Sequence, residues 1–324
     1  MWPFRRGAKL TVPTIDPALG DPDAVMLLDH LANRNWRPVH DFLRRVEDPD
    51  DFAWYVDLAA ETTGMQAWIG EWIEAEPRSA LPVLVRGAHA IRWAWQARGS
   101  GRAKDTSAAQ FQMFAQRLKL AEDCLDEAVQ RAPNDPTGWA LLIVTGMGRG
   151  LGVDESHRRF SEATTRYRWH HGAHNRMLGQ LCAKWGGSHE QMHRFVDETV
   201  ANAPAGSGLG ALMPKAHIER WLDLPDGSDR VHMRQPEVRA ALHWAADRSV
   251  RHPGYRRRPG WPVPHNNFAM AFWLADEHAA VAEQFDAVGD LVTEYPWNYL
   301  AGEPAERFAR ARAQVYRERT SVPG

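Results

Sequence analysis

Residues 111–139 read FQMFAQRLKLAEDCLDEAVQRAPNDPTGW. Phe111, Phe114, Leu118, Ala121, Leu125 and Ala128 recur at steps of 3, 4, 3, 4 and 3. That spacing puts six apolar side chains on one stripe of a long amphipathic helix. Lys119, Glu122, Asp126 and Gln130 fall off the stripe and are expected to meet water. Arg131-Ala132-Pro133 closes the helix, because proline cannot continue one but tolerates the start of the next.

The same punctuation recurs along the chain, at Glu47-Asp48-Pro49, Ala75-Glu76-Pro77, Asn202-Ala203-Pro204, Arg251-His252-Pro253 and Glu294-Tyr295-Pro296. Arg166-Tyr167-Arg168 holds an equivalent place without proline. With Tyr167 included, successive spacings are 28, 56, 34, 37, 49 and 43 residues. Most fall in the range of helical-hairpin arrays. The longest interval carries an insertion over residues 97–105, and the interval of 49 carries another over residues 224–229. Period-2 alternation is absent, as are Asn-Gly or Asp-Gly hairpin turns between β-branched runs. Residues 1–22 read as an extended, proline-rich arm and 23–254 as helical repeats. Residues 255–264 form a Pro/Arg-rich connector, and 265–324 a C-terminal repeat and cap.

The helix-to-proline boundary resembles a tetratricopeptide repeat (TPR). Ala121, Leu125, Ala128, Pro133, Trp139 and Leu142 stand at the offsets that family uses. Ile143 and Gly146 depart from it, where the family favours Gly and Tyr. Phe160 and Ala163 match the next unit in part, with His174 in the place of its Trp. Lys184-Trp185-Gly186-Gly187-Ser188 resembles a signature of bacterial TPR-like proteins. The resemblance implies an all-α, right-handed TPR-like superhelix of about six or seven irregular hairpins. Physical reasoning agrees, because a two-helix unit cannot bury both apolar faces alone and must stack on its neighbours.

Composition narrows the function classes. The 324 residues carry 39 Lys+Arg against 41 Asp+Glu, a formal net charge of −2. That balance gives no global drive toward nucleic acid or an anionic membrane. No apolar stretch reaches the length of a bilayer crossing. The two cysteines, Cys124 and Cys182, cannot build a disulfide framework and fit a reduced, cytoplasmic compartment. The basic start lacks an apolar segment behind it, so no secretory signal is expected. The chain is tryptophan-rich, with 15 Trp against 6 Tyr. Those rings are expected to wedge between packed helices, with some lining a groove.

Side chains able to do chemistry concentrate between Trp169 and Glu219. His189-Glu190-Gln191-Met192-His193 is an HExxH string. On a helix its imidazoles share a face and its Glu can serve a metal-bound water. The string resembles the zincin metallopeptidases, and Glu219 with Asp223 stands at the spacing of their gluzincin branch. Under that alternative His189, His193 and Glu219 hold zinc, and Glu190 is the base of a hydrolase. The adopted reading is plainer. Ser188 and Gln191 form a capping box that starts a helix at His189, with Glu190 favourable near its N-terminus. His171 and His174 share a face with Leu178, Leu181 and Trp185. They read as packed core histidines or as groove positions.

The basic cluster at Arg256-Arg257-Arg258, flanked by Tyr255 and Trp261, reads as a solvated loop without an accompanying nucleic-acid motif. Phosphate-binding and nucleophile-elbow motifs are absent. The expected function is a cytosolic scaffold or regulator, without a cofactor, that engages a protein or peptide on a concave face. Its contacts would be Arg86, His89, Arg92 and Trp93 on one inner helix and His171 and His174 on another, with His265 and Asn266 added to the same face. A small-molecule binder or non-metal enzyme with a Trp/His-lined pocket is a further alternative.

Overall fold

The computed structural model describes residues 10–99 and 105–321. Residues 1–9 of the arm, most of the 97–105 insertion and the last three residues lie outside the description. The all-α expectation is met: sixteen α-helices and no strand occur among the described residues. The chain divides into two compact units, residues 21–203 and residues 10–20 with 204–321. The cut at Pro204 falls on one of the helix-to-proline junctions.

The first unit holds α1 (Pro22–Ala32), α2 (Trp36–Leu43), α3 (Pro49–Ala59), α4 (Ile69–Ala75), α5 (Leu81–Arg98), α6 (Ala108–Arg131), α7 (Pro136–Arg149), α8 (Val153–Arg166), α9 (His171–Leu181) and α10 (His189–Asn202). α4, α6, α8 and α10 each end just before Pro77, Pro133, Tyr167 and Pro204. Glu47-Asp48-Pro49 instead marks a start. Pro49 is the first residue of α3, and the Asp48 carboxylate accepts from the Asp50 and Asp51 N–H groups at 2.9 and 3.3 Å. Aspartate before proline is a strong helix cap, so the tripeptide punctuates forward.

α5 to α10 form three hairpins. α5 packs on α6, α7 on α8 and α9 on α10, while α6 meets α7, α8 meets α9, and α5, α7 and α9 pack in series. The stripe on α6 drives this: Phe114, Leu118, Ala121, Leu125 and Ala128 are buried, and Phe111 at its start is 39% exposed. Leu125 and Ala121 share a core with Leu84, Ala88 and Ile91 of α5 and Leu141 and Leu142 of α7. Burying each leucine or isoleucine of this core contributes about 1.5–3 kcal/mol.

Glu122 corrects the sequence reading, for it is 6% exposed rather than solvated. Buried Arg159 of α8 meets one Glu122 oxygen and Arg149 of α7 the other. Arg159 also donates to Glu155 at 2.6 Å, to Thr145 Oγ1 at 3.0 Å and to the Leu142 carbonyl. Hydrogen bonds from Arg158, aided by Arg159, hold the Glu155 carboxyl down at about 2. A charge buried off the apolar stripe is tolerated here because each of the three guanidinium nitrogens of Arg159 has an acceptor.

The turn between α9 and α10 explains the double glycine. Gly186 sits at φ +89°, where L side chains are strained. A Cβ on Gly187 would lie 2.2 Å from the Leu181 carbonyl oxygen, so no side chain fits.

The second unit holds α11 (Leu212–Asp223), α12 (Ser228–Met233), α13 (Pro236–Arg248), α14 (Pro262–Leu274), α15 (His278–Val288) and α16 (Pro304–Ser321). α14 is its central rod, packed on α11, α13 and α15. Phe268, Phe272, Phe285, Trp297 and Phe308 are all fully buried in this unit. The Trp297 ring stacks on Phe285 and meets Phe308 edge-on, as expected of rings wedged between helices. No described helix is long and apolar enough to cross a membrane.

Candidate functional site

The face built by α5, α7 and α9 is the one a hairpin array offers to a partner. In this chain a helix already lies there, because α3 packs against all three. The reason is written along α3. Phe52, Val56 and Ala60 recur every four residues, and Val56, Ala60 and partly buried Phe52 join the core of Leu84, Ala88, Ile91, Leu141 and Leu142. Asp50, Asp57 and Glu61 run beside that stripe.

Each polar group finds a specific acceptor or donor. The Asp50 carboxylate accepts from the His171 backbone N–H, the first of α9, at 2.7 Å. Orphan N–H groups and the helix dipole make a helix start attractive to a carboxylate. One nitrogen of Arg176 reaches both Asp57 oxygens at 2.6 and 2.7 Å. His89 Nδ1 donates to the Ala60 carbonyl at 2.9 Å, and Arg92 pairs with Glu61 at 2.6 Å. Burial holds the His89 ring below its usual range, against the pull of that carbonyl. The other ring nitrogen, Nε2, lies 2.9 Å from Gln66 Oε1.

His89 and Arg92 therefore meet the C-terminal end of α3, and His171 meets its N-terminal end. Arg86 and Trp93, also on α5, face toward α6. Arg117 of α6 lies 3.8 Å over the Trp93 ring, and Arg86 is close enough to Cys124 for its charge to act on that thiol. His174 is 4% exposed. It stacks between Trp169 and Phe195, takes Phe160 edge-on, and donates from Nδ1 to the His170 carbonyl at 2.9 Å. Burial lowers its pKa to about 4. His170 caps α9 by accepting from Ala173 N–H at 3.1 Å, and burial, with Arg176 nearby, lowers it to about 3. Both rings are neutral near pH 7 and serve packing and capping.

His265 and Asn266 belong to the second unit, on α14, and are 5% and 0% exposed. His265 Nδ1 bonds Gln284 of α15 at 2.8 Å. Asn266 donates to the Pro262 and Leu291 carbonyls at 2.9 and 3.0 Å and accepts from Trp297 Nε1 at 2.9 Å.

The HExxH string opens α10, with Ser188 Oγ accepting from Gln191 N–H at 3.1 Å. Glu190 pairs on the surface with Arg194 at 2.6 Å. Glu219 on α11 accepts from the Tyr299 hydroxyl at 2.7 Å. Among the described residues no group of three or more His, Cys, Asp or Glu is placed to hold a metal ion.

Sequence reasoning missed Asp50, Asp57 and Arg176, which carry the polar seam, and the Glu122–Arg159 pair. Arg159 left a signal. It shares the helix face of Ser156 and Ala163, so a charge stands where an apolar residue belongs. No family model, curated protein or solved structure matches the chain.

Proposed function

We propose that this protein is a helical-repeat scaffold, TPR-like in its α5–α10 hairpins, that binds protein helices on the face of α5, α7 and α9. One observation carries the reading. That face holds a helix, α3, by polar bonds from α5 and α9 and by apolar packing on α5 and α7, the manner in which a repeat array grips a bound segment. The rest is consistent: the hairpins pack in series, His170 and His174 are neutral near pH 7, and the conspicuous motif at 189–193 starts a helix.

A site-specific photo-crosslinker tests it. Placed at Arg92 of α5, it should capture a defined protein in the source cell, while the same group at Ser161 of outer helix α8 should not. The captured protein, once purified, should bind the intact chain and lose about tenfold affinity on Arg92→Ala. Equal capture at both positions, or unchanged affinity, rejects the scaffold reading.

A further inference from the structure

α3 has two different sides. One belongs to the N-terminal helices, where the Tyr55 hydroxyl donates to Asp21 at 2.8 Å and its ring meets Phe42 edge-on. The other is set on α5, α7 and α9 by groups that stand in register. Asp50, Asp57 and Glu61 meet the α9 N-terminus, Arg176 and Arg92, while Val56 and Ala60 enter the shared core. The receiving face thus offers one helix start and two guanidinium groups, spaced for carboxylates at the first and eighth positions counted from Asp50 and for a third, at the twelfth, just past the helix end. Between them it accepts a phenylalanine, a valine and an alanine at the third, seventh and eleventh positions. The seam is not sealed from water: Asp57 and Arg92 side chains are 32% and 48% exposed. Charge pairs of this kind exchange readily with solvent and with competing ions.

We propose that the α5/α7/α9 face is a receptor for acidic amphipathic helices, that α3 is its resident occupant, and that a partner helix with the same carboxylate spacing competes for the seat. This rests on the scaffold reading and names its partner class. A receptor occupied by its own segment shows an outside ligand only the fraction of time the seat is vacant.

The probe is a labelled synthetic peptide of residues 47–62, followed by fluorescence anisotropy on the full-length chain. Asp50→Asn with Asp57→Asn in the protein weakens the resident helix and leaves the receptor untouched. That variant should bind the peptide about tenfold more tightly than the wild type. Adding Arg176→Ala to the protein, or Asp57→Asn to the peptide, should reverse the gain. Equal binding to wild type and variant, or none to either, overturns the proposal. Hydrogen exchange on the wild-type chain guards against a variant that fails to fold. The α3 amides should exchange through openings smaller than those exposing α7, and equal protection of both helices overturns the proposal as well. Peptide binding without a cellular partner would leave the receptor chemistry standing and remove the scaffold reading. A captured partner that ignores both Arg176 and the peptide would do the reverse.

Discussion

α9 in the first unit and α14 in the second are both helices with unusual polar content, and they use it differently. α14 spends His265 and Asn266 on near neighbours, Gln284, Leu291 and Trp297, through neutral groups sealed from solvent. α9 sends its His171 N–H and Arg176 to two carboxylates of α3, 119 to 121 residues away in sequence, and the Asp57 carboxylate is 32% exposed to water. A sealed neutral network gives a single arrangement, because breaking it strands a donor or acceptor without water to replace it. A partly wet ionic seam loses less when parted. The comparison separates polar contacts that fix a fold from those that allow an element to leave.

The strongest way to break that contrast is a site both charged and sealed. Arg159→Ala takes from Glu122 its buried partner, leaving only Arg149, and should destabilise the first unit by about 3–5 kcal/mol, read from urea unfolding followed by tryptophan fluorescence. A cost near that of a surface pair would mean that charge, rather than burial, governs the difference. Asn266→Ala removes the partner of the Trp297 N–H and the Leu291 carbonyl. It should cost about 2–4 kcal/mol and be felt in the second unit.

Acid sharpens the picture at α9. In the native state burial pushes the His174 ring down to about 4 and the His170 ring to about 3. An unfolded imidazole takes up its proton near about 6.5. Between these values the unfolded chain binds more protons than the native one, so stability rises with pH and is lost as pH falls from about 6.5 toward about 4. His174→Phe should flatten the dependence of the urea midpoint over that window, and an unaltered slope would remove His174 as its source.

Smaller effects follow at the seam and on the surface. Asp57→Asn should cost only about 1 kcal/mol, with the difference from wild type shrinking in high salt. Arg194→Ala, which breaks an exposed pair with Glu190, should stay within about 0.5 kcal/mol in the same assay.

Much of the helical framework was legible because it is local. The α6 stripe, the proline that closes it and the start of α10 at His189 all follow from neighbours in sequence. The seat of α3 was not legible. Asp50 reads locally as part of a helix cap and first turn, and Asp57 as an ordinary surface acid. Only tertiary packing brings them to α9. Glu122 failed for a related reason. Its position beside the stripe is ambiguous on a helix wheel, and the arginine that makes burial tolerable sits in another helix. His89, His171 and His174 were singled out as contact residues. Two of them do touch α3, while His174 turns into an aromatic box whose members, Trp169, Phe160 and Phe195, come from three separate segments.

The distance along the chain between α3 and α9 has a consequence for biogenesis. A ribosome delivers the N-terminal helices well before the residues that will hold α3 exist, and separations of this size slow the closing step of folding. Asp50, Asp57 and Glu61 keep the waiting segment compatible with water in the interim, so the acids that later fasten it are also what let it be made first.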